Sequence, residues 1–325
     1  MHPIFKTSLQ RLALGIATLW VVSVLVFGMF EMLPGNFAQA VLGQSATPEI
    51  VASFEKRAGL DQPFLTRYGT WLVGAVQGDF GVSYNSLMNT GGQPRTVSSI
   101  IGTRLENTLF LAVAVAIVAV PLALGIGLLA ALYRNSIFDR VANAATLTSI
   151  SFPEFFVGYI LMLFLAVQHP WFYATAKVDS LTTFSEHIAR IGLPVICLVL
   201  VIVAHMMRMT RAAIINLLAS PFIEMARLKG VPPSRVIWHH ALPNAWAPIA
   251  TVVALNLAYL VVGVVVVEVV FNYPGIGQLM VDAVQSRDIP VVQACAIIFA
   301  AVYILLNLSA DIVGIVTNPR LLHPR

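Results

Sequence analysis

The chain alternates between long apolar stretches and shorter polar ones. Six apolar stretches approach or exceed the roughly 20 residues that a helix needs to cross a bilayer. Five of them carry no charged residue, and the other is interrupted by Glu154 alone. This pattern predicts an all-α integral membrane protein with six transmembrane helices. The apolar stretches are residues 12–30, 107–133, 141–168, 191–207, 241–267 and 291–310.

The amino-acid composition is also typical of a membrane protein. Of 325 residues, 58% are hydrophobic and 10% are charged, whereas a soluble domain carries about 25% charged residues. The first apolar stretch exceeds the roughly 7–15 residues of a secretory signal and lacks a small-residue cleavage site, so we expect an uncleaved span. The net charge of +4 comes from basic residues scattered at loop ends, which predicts no nucleic-acid partner.

Lys and Arg residues predict the orientation of the spans, because they are enriched in cytoplasmic segments. With the N-terminus inside, the inner segments hold eleven of the 19 basic residues but only two acids, Asp139 and Glu224. We therefore expect both termini to be cytoplasmic. The inner basic residues are Lys6, Arg11, Arg134, Arg140, Arg208, Arg211, Arg227, Lys229, Arg235, Arg320 and Arg325.

The longest polar region, residues 31–106, is called here the first connecting segment. Thr47 before Pro48 predicts a helix start, and Gly59 predicts its end. A second helix is predicted after Pro63. Together they form either a lid on the spans or a docking surface for an extracytoplasmic partner. The predicted apolar faces are Ile50, Phe54 and Ala58 in the first helix and Phe64, Tyr68, Trp71 and Ala75 in the second.

No catalytic or cofactor-binding motif is visible. The chain has no Gly-Lys dipeptide, which excludes a phosphate-binding P-loop, and no G-x-S-x-G or H-E-x-x-H motif. His239 and His240 are adjacent and would not face each other on a helix, so a shared metal site is not expected. Cys197 and Cys295 fall inside predicted spans as small packing residues. These observations predict no enzyme, no cofactor and no metal.

Three acids fall in or near predicted spans: Glu154, Glu268 and Asp311. Intramembrane acids are costly and often mark a translocation pathway, but they also serve structural roles. Glu154 follows Pro153, which predicts a locally opened helix. Both roles stay open for each acid. The three acids also support an alternative function, a stand-alone ion-coupled secondary transporter, although no repeated halves are visible.

A polar stretch between the fourth and fifth spans reads EMARLKGVPPSRVIWHHALP over residues 224–243. Ser220 and Pro221 predict a helix start, and Gly230 predicts its end. A second helical piece should follow the prolines and lead to Pro243 and the fifth span. The result is a helix–glycine–helix unit, called here the elbow (residues 220–243). Connections between spans are commonly much shorter than this one, and a long connection with its own helices suggests a binding surface.

The elbow resembles the cytoplasmic E-A-A, x3, G, x9, I-x-L-P motif of permease subunits of ATP-binding-cassette importers. Glu224, Ala226, Gly230, Leu242 and Pro243 match its spacing, whereas Met225 and His240 replace the second and the Ile positions. The resemblance implies that this stretch couples to ATPases, with Arg227 and Lys229 supplying charge.

The likeness extends along nearly the whole chain. The segments LPGNFAQAVLG, ATPEIVASFEKRAGLDQP, RLENTL, SFPEFFVG, ARLKG, HALPNA and VFNYPGIGQLMVDAVQSRDIPVVQ resemble, in order, the dipeptide/oligopeptide/nickel permease family, in the subunit type with a long first external segment. The resemblance implies a type I importer fold in a bacterial inner membrane. It also implies one related permease subunit, two cytoplasmic ATP-binding subunits and an external substrate-binding protein as partners, with peptide as the first expectation for the substrate among peptides, nickel chelates and opines.

The resemblance and the span pattern together predict the organisation of the chain. Residues 1–30 are the cytoplasmic N-terminus and first span, and residues 31–106 are an external helical segment. Residues 107–316 form the transmembrane domain, with a cytoplasmic coupling loop at 212–246, and residues 317–325 are a cytoplasmic tail.

Overall fold

The computed structural model describes residues 3–32, 38–39, 46–88, 93–179, 181–232 and 235–316. These ranges are helical apart from short connections, and a single antiparallel bridge, Val82 to Thr96, is described within them. A π-helical turn, Leu163–Gln168, extends α7, and a second, Val236–Ala241, precedes α11. The helices are α1 (Pro3–Glu31), α2 (Pro48–Ala58), α3 (Phe64–Val76), α4 (Tyr84–Met88), α5 (Val97–Leu132), α6 (Ile137–Ser151), α7 (Glu154–Met162), α8 (Phe184–Arg190), α9 (Gly192–Leu218), α10 (Pro221–Leu228), α11 (Leu242–Val270), α12 (Ile276–Gln285) and α13 (Ile289–Val316).

The predicted spans are present. Five helices (α1, α5, α9, α11 and α13) are long and apolar enough to cross a membrane, and the bent pair α6–α7 makes a sixth span if it is counted as one. Each of the six apolar stretches lies in one of these spans, which confirms an all-α, multi-pass membrane protein.

Three spans extend well beyond their apolar stretches, and α1 begins at Pro3, nine residues before its predicted start. α5 begins at Val97, ten residues before the predicted start, because polar residues can continue a helix where it leaves the lipid. α9 ends at Leu218, so its last turns carry Arg208 and Arg211. Apolar composition marks the part of a helix in lipid, whereas the helix itself continues to the next capping or breaking residue.

The break predicted at Pro153 is confirmed. α6 ends at Ser151 and α7 begins at Glu154, and the two helices are bent by 100° relative to each other. Phe152, which precedes the proline, has extended backbone angles (φ −98°, ψ 138°). Pro ring atoms clash with a helical conformation of the preceding residue, so the proline itself accounts for the interruption.

Helix α9 is the most deeply buried span. It packs against α5, α11, α6 and α7, while α13 packs against α11 and α1. The peripheral position of α1 leaves most of its surface exposed. The main core is therefore built around α9, and its fully buried members include Leu111, Val115, Leu193, Cys197, Met206, Met207, Val264 and Phe271.

Both helices predicted in the first connecting segment are present. α2 spans Pro48–Ala58, with the Thr47 hydroxyl accepting a hydrogen bond from Ile50 N, and Gly59 closes it at φ +68°. The predicted apolar face of α2 is partly wrong, because Ile50 is exposed and Val51 is buried with Phe54. Periodicity gives a helix its apolar stripe, but the tertiary neighbour decides which edge of the stripe is covered.

The second of these helices, α3, packs on the first span through its predicted aromatic face. The Phe27 ring in α1 contacts Phe64, Tyr68 and Trp71, with ring centroids 5.4–5.5 Å apart. The Tyr68 hydroxyl also lies 2.8 Å from Ser23 Oγ. Aromatic pairs at these distances stabilise a contact beyond the area they bury, so α3 is fixed to α1.

Candidate functional site

The elbow begins and ends as its sequence predicts. α10 starts at Pro221, after Ser220 in an extended conformation, although the Ser220 hydroxyl donates to Leu217 O and does not cap the helix. Gly230 closes the helix with φ +73°, and its N–H donates to Arg227 O. A non-glycine residue is strained at this backbone angle, so Gly230 permits the turn.

The two arms of the elbow pack on each other through a small apolar cluster. Ile223 and Ala226 on α10 are buried against Val236 and Ala241 of the π-helical turn, with Leu217, Leu218 and Val231 around them. Ala226 is 8% exposed. Its short side chain therefore faces the elbow's own second arm and lets α10 approach closely.

The opposite face of α10 is exposed and largely apolar. Phe222, Met225 and Leu228 are 44%, 53% and 75% exposed, and Glu224, Arg227 and Lys229 are exposed beside them. The importer motif does not mark these three apolar residues, although their i, i+3, i+6 spacing is a usable signal. We call Phe222, Met225 and Leu228 the outer face of the elbow.

The second arm of the elbow runs into the fifth span without a break. The π-helical turn Val236–Ala241 leads directly into α11, where Pro243 lies in the first turn, and Pro248 lies inside the helix. Pro is tolerated in a first turn because that N–H has no helical partner. The side chain of Leu242 lies outside the part of the chain that the structure describes.

An ion pair links the base of α9 to the start of α6 near the elbow. Arg211 Nε and Nη2 donate to the two carboxylate oxygens of Asp139 at 2.6 and 2.8 Å. Asp139 is 3% exposed and also accepts from Asn135 N and Asn143 Nδ2. A bidentate pair with satisfied oxygens is geometrically specific, so it fixes these two helices against each other.

Glu268 is the most enclosed of the three intramembrane acids. It is fully buried, and its carboxylate accepts hydrogen bonds from Thr108 Oγ1 at 2.6 Å, Gly277 N at 2.7 Å and Gln278 N at 3.1 Å. A Cβ added at Gly275 would lie 2.0 Å from the carboxylate, so a glycine is needed there. A carboxylate at the first turn of α12 is favourably placed against the helix dipole. This geometry is that of a structural acid.

The other two acids have different surroundings. Asp311 forms an ion pair with Arg11 at 3.1 Å, which ties α13 to α1 at a site where both side chains are about half exposed. Glu154 is partly buried, and its carboxylate accepts a hydrogen bond from Tyr259 Oη at 3.2 Å. The structure therefore keeps the three acids in separate environments and does not bring them together into one site.

A third buried acid, Asp288, anchors the first connecting segment. It is 3% exposed and accepts hydrogen bonds from Ser83 Oγ at 2.5 Å, Tyr84 N at 3.0 Å and Asn85 N at 3.4 Å. Burial raises the pKa of the neighbouring Tyr84 to about 12, which keeps its hydroxyl neutral. No local pattern in the sequence marks Asp288, because its partners lie about 200 residues away along the chain.

Within the described ranges, no group of three or more His, Cys, Asp or Glu side chains is arranged to hold a metal ion. Both cysteines are buried and unpaired with each other.

Five spanning helices and one bent helix pair, with a helical elbow between the fourth and fifth spans, make this a polytopic membrane protein. Residues 123–323 match the family described as binding-protein-dependent transport system inner membrane component, and residues 4–112 match its N-terminal companion family. The chain belongs to this family and has its type I ABC permease fold.

Individual relatives agree over almost the whole chain. A probable peptide ABC transporter permease protein, y4tP, from Sinorhizobium fredii is 33% identical over 317 residues, covering 96% of this chain and 98% of the relative. The glutathione transport system permease protein GsiC of Escherichia coli K12 is 36% identical over 311 residues, covering 96% and 97%. GsiC of Salmonella choleraesuis is 37% identical with the same coverage.

These similarities establish the class of protein. The chain is a permease subunit of an ATP-binding-cassette importer and a multi-pass membrane protein. It belongs to a family of transport permeases, which work with ATP-binding and substrate-binding proteins. The alternative of a stand-alone ion-coupled transporter is not favoured.

Proposed function

We propose that this permease forms half of a translocation pathway for peptides or a closely related small solute. The chain pairs with a second, related permease subunit, and an external substrate-binding protein delivers the solute. Peptide as the substrate class is supported by the relative named as a probable peptide permease and by those named for glutathione, itself a tripeptide.

The elbow couples this pathway to two cytoplasmic ATP-binding subunits, which carry out ATP hydrolysis. The observation that carries this proposal is the outer face, an exposed apolar surface on a helix whose other side is packed. Exposed apolar surface beside charged residues is typical of interaction sites. Glu224, Arg227 and Lys229 supply the charged rim, while Ala226, Gly230 and Pro243 set the shape of the elbow.

The mechanism is a shift between inward-open and outward-open states. The ATPases grip the elbow, and their closure on binding ATP moves it as a unit. The elbow continues directly into α11 and packs on the end of α9, so its movement reaches two central spans. The bidentate Asp139–Arg211 pair extends the same rigid connection to α6.

The test of coupling is purification of the permease from membranes through an affinity tag. We expect the second permease subunit and the ATPases to co-purify, and the reconstituted complex to take up peptide only with ATP and the binding protein. Uptake driven by an ion gradient without ATPases would contradict the proposal.

The orientation belongs to the same proposal: both termini and the elbow are cytoplasmic in a bacterial inner membrane, and the first connecting segment is external. Lys56, exposed on α2, offers a site for a reporter cysteine. Lys56→Cys should react with an impermeant thiol reagent in intact cells, whereas Met225→Cys should react only after lysis. The reverse pattern would overturn the orientation. Gln44, another candidate reporter, lies outside the described residues.

A further inference from the structure

Glu154 lies at the bend of the third span. The interruption at Pro153 turns α7 by 100° from α6, and Glu154 is the first residue of α7. The Sγ of Cys197 on α9 lies 3.6 Å from the Glu154 carbonyl oxygen. The backbone at Glu154 therefore contacts α9.

Residues of two further spans meet the Glu154 carboxylate. Tyr259 Oη on α11 donates to Oε1 at 3.2 Å. One turn along α11, Gly263 has no side chain, and a Cβ there would lie 3.5–3.6 Å from both carboxylate oxygens. The Tyr259 ring in turn lies 5.7 Å from the ring of His205 on α9. Glu154, Tyr259 and His205 thus converge from α7, α11 and α9.

The carboxylate of Glu154 is incompletely satisfied by the described residues. Its side chain receives a hydrogen bond from a single neutral hydroxyl, and no Lys or Arg of the described chain forms an ion pair with it. The contrast with Glu268 is direct, because that carboxylate accepts three hydrogen bonds. An ionised carboxylate offers about four acceptor sites, so Glu154 has capacity for a ligand with several donors.

The polar character and exposure of this cluster indicate whether it faces lipid or the interior of the bundle. Tyr259 is 45% exposed, and Glu154 and His205 are partly exposed. Polar and ionisable side chains at membrane depth face a bundle interior or a water-filled cavity, because exposure to hydrocarbon is costly. A surface with an acid, a tyrosine and a histidine is therefore suited to the pathway.

We propose that Glu154, with Tyr259 and His205 beside it, binds the protonated amino group of the solute as it passes through the pathway. The inference rests on the proposed function, in which the solute is a peptide. A peptide amino group has a pKa of about 8 and is cationic at neutral pH. Its three N–H donors match the free acceptor sites of the carboxylate, and the tyrosine ring adds a cation–π contact.

The test uses the complete importer, with ATPases and binding protein, reconstituted in liposomes. Two probes are compared, a tripeptide with a free amino group and its N-acetylated form, each at a concentration that saturates the purified binding protein. The variants are Glu154→Gln, which keeps the shape and can still accept from Tyr259, and Glu106→Gln, a control at an exposed acid of α5.

We expect Glu154→Gln to slow uptake of the free-amino peptide by about tenfold or more, since hydrogen bonds to charged groups are the stronger ones. Uptake of the acetylated peptide, basal ATP hydrolysis and subunit content should be unchanged, and Glu106→Gln should match the unaltered importer. Tyr259→Phe should give a smaller loss with the same selectivity.

Unchanged uptake of the free-amino peptide by Glu154→Gln would overturn the inference, and so would an equal loss for both peptides, which indicates a structural role. Failure of the proposed function looks different. In that case the unaltered chain would not co-purify with ATPases, or would take up neither peptide.

Discussion

The elbow and the first connecting segment lie at opposite ends of α5 and are attached to the spans in different ways. The first connecting segment is held by polar and aromatic contacts to distant parts of the chain, above all through Asp288 and the Phe27 cluster. The elbow is held by a small apolar core of its own and by apolar contacts to the end of α9.

The two kinds of attachment suit the two regions to different roles. Several directional hydrogen bonds to a buried carboxylate specify one arrangement, so the first connecting segment is built as a fixed surface. The elbow is a compact unit with a backbone that continues into α11, and its outer face is left uncovered. Internal packing lets such a part move as a unit, and its continuity with α11 would carry that movement to the spans.

The largest effect is expected from Ala226→Glu, which tests the internal packing of the elbow. Ala226 is buried in the elbow core, and an unpaired charge at such a site costs roughly 3–5 kcal/mol. We expect α10 to separate from the second arm and peptide uptake to be lost, while the chain still inserts at normal levels. The measurement is uptake together with limited proteolysis at the elbow. Full uptake with an intact elbow would contradict the packing role of Ala226.

The first connecting segment is tested by Asp288→Ala. This change leaves three donors without their acceptor, at about 1–3 kcal/mol for each group that stays buried. We expect residues 46–88 to become accessible to protease from outside while ATPase binding at the elbow is retained. Asp282→Ala is the matched control, because Asp282 is exposed and accepts from Gln278 Nε2 on its own helix. Equal protection in both variants would show that Asp288 is not the anchor.

The smallest effect is expected at Gly230, where two substitutions distinguish backbone strain from the loss of a contact. Its φ is +73°, and an added Cβ would meet no atom within 4 Å. Gly230→Val should therefore destabilise the turn by about 1–2 kcal/mol through backbone strain alone, whereas Gly230→Asn should be milder because Asn tolerates this conformation. Thermal stability of the purified complex and peptide uptake provide the comparison. Equal losses for Val and Asn would point to a lost contact and not to strain.

Capping and breaking residues predicted the bounds of the helices outside the lipid better than apolar composition predicted the ends of the spans. Pro221 and Gly230 fix the first arm of the elbow through backbone preferences that act within a few residues. Pro153 likewise predicted the break in the third span. The angle of that break was not predictable, because it depends on how α7 packs against α9 and α11.

Contacts between distant residues could not be predicted in this way. The acceptors Asp288 and Glu268 meet their side-chain partners across 205 and 160 residues, and no spacing rule connects such positions. The side of α10 on which Ala226 is buried could not be predicted either, because the neighbouring segment decides which side of a helix is covered. The sequence marked the elbow as a binding surface, but the structure identifies Met225 as a member of its outer face.

The most direct test of ATPase binding at the outer face of the elbow is Met225→Glu. Met225 is 53% exposed, so the substitution leaves the elbow core intact and changes only the outer face. Leu181→Glu, at a residue 88% exposed on the connection between α7 and α8, is the matched control. We expect tagged Met225→Glu permease to retain its partner permease subunit but to lose at least tenfold of its bound ATPase, while the control keeps both. Full ATPase occupancy in Met225→Glu would contradict the claim that the elbow's outer face is where the ATPases bind.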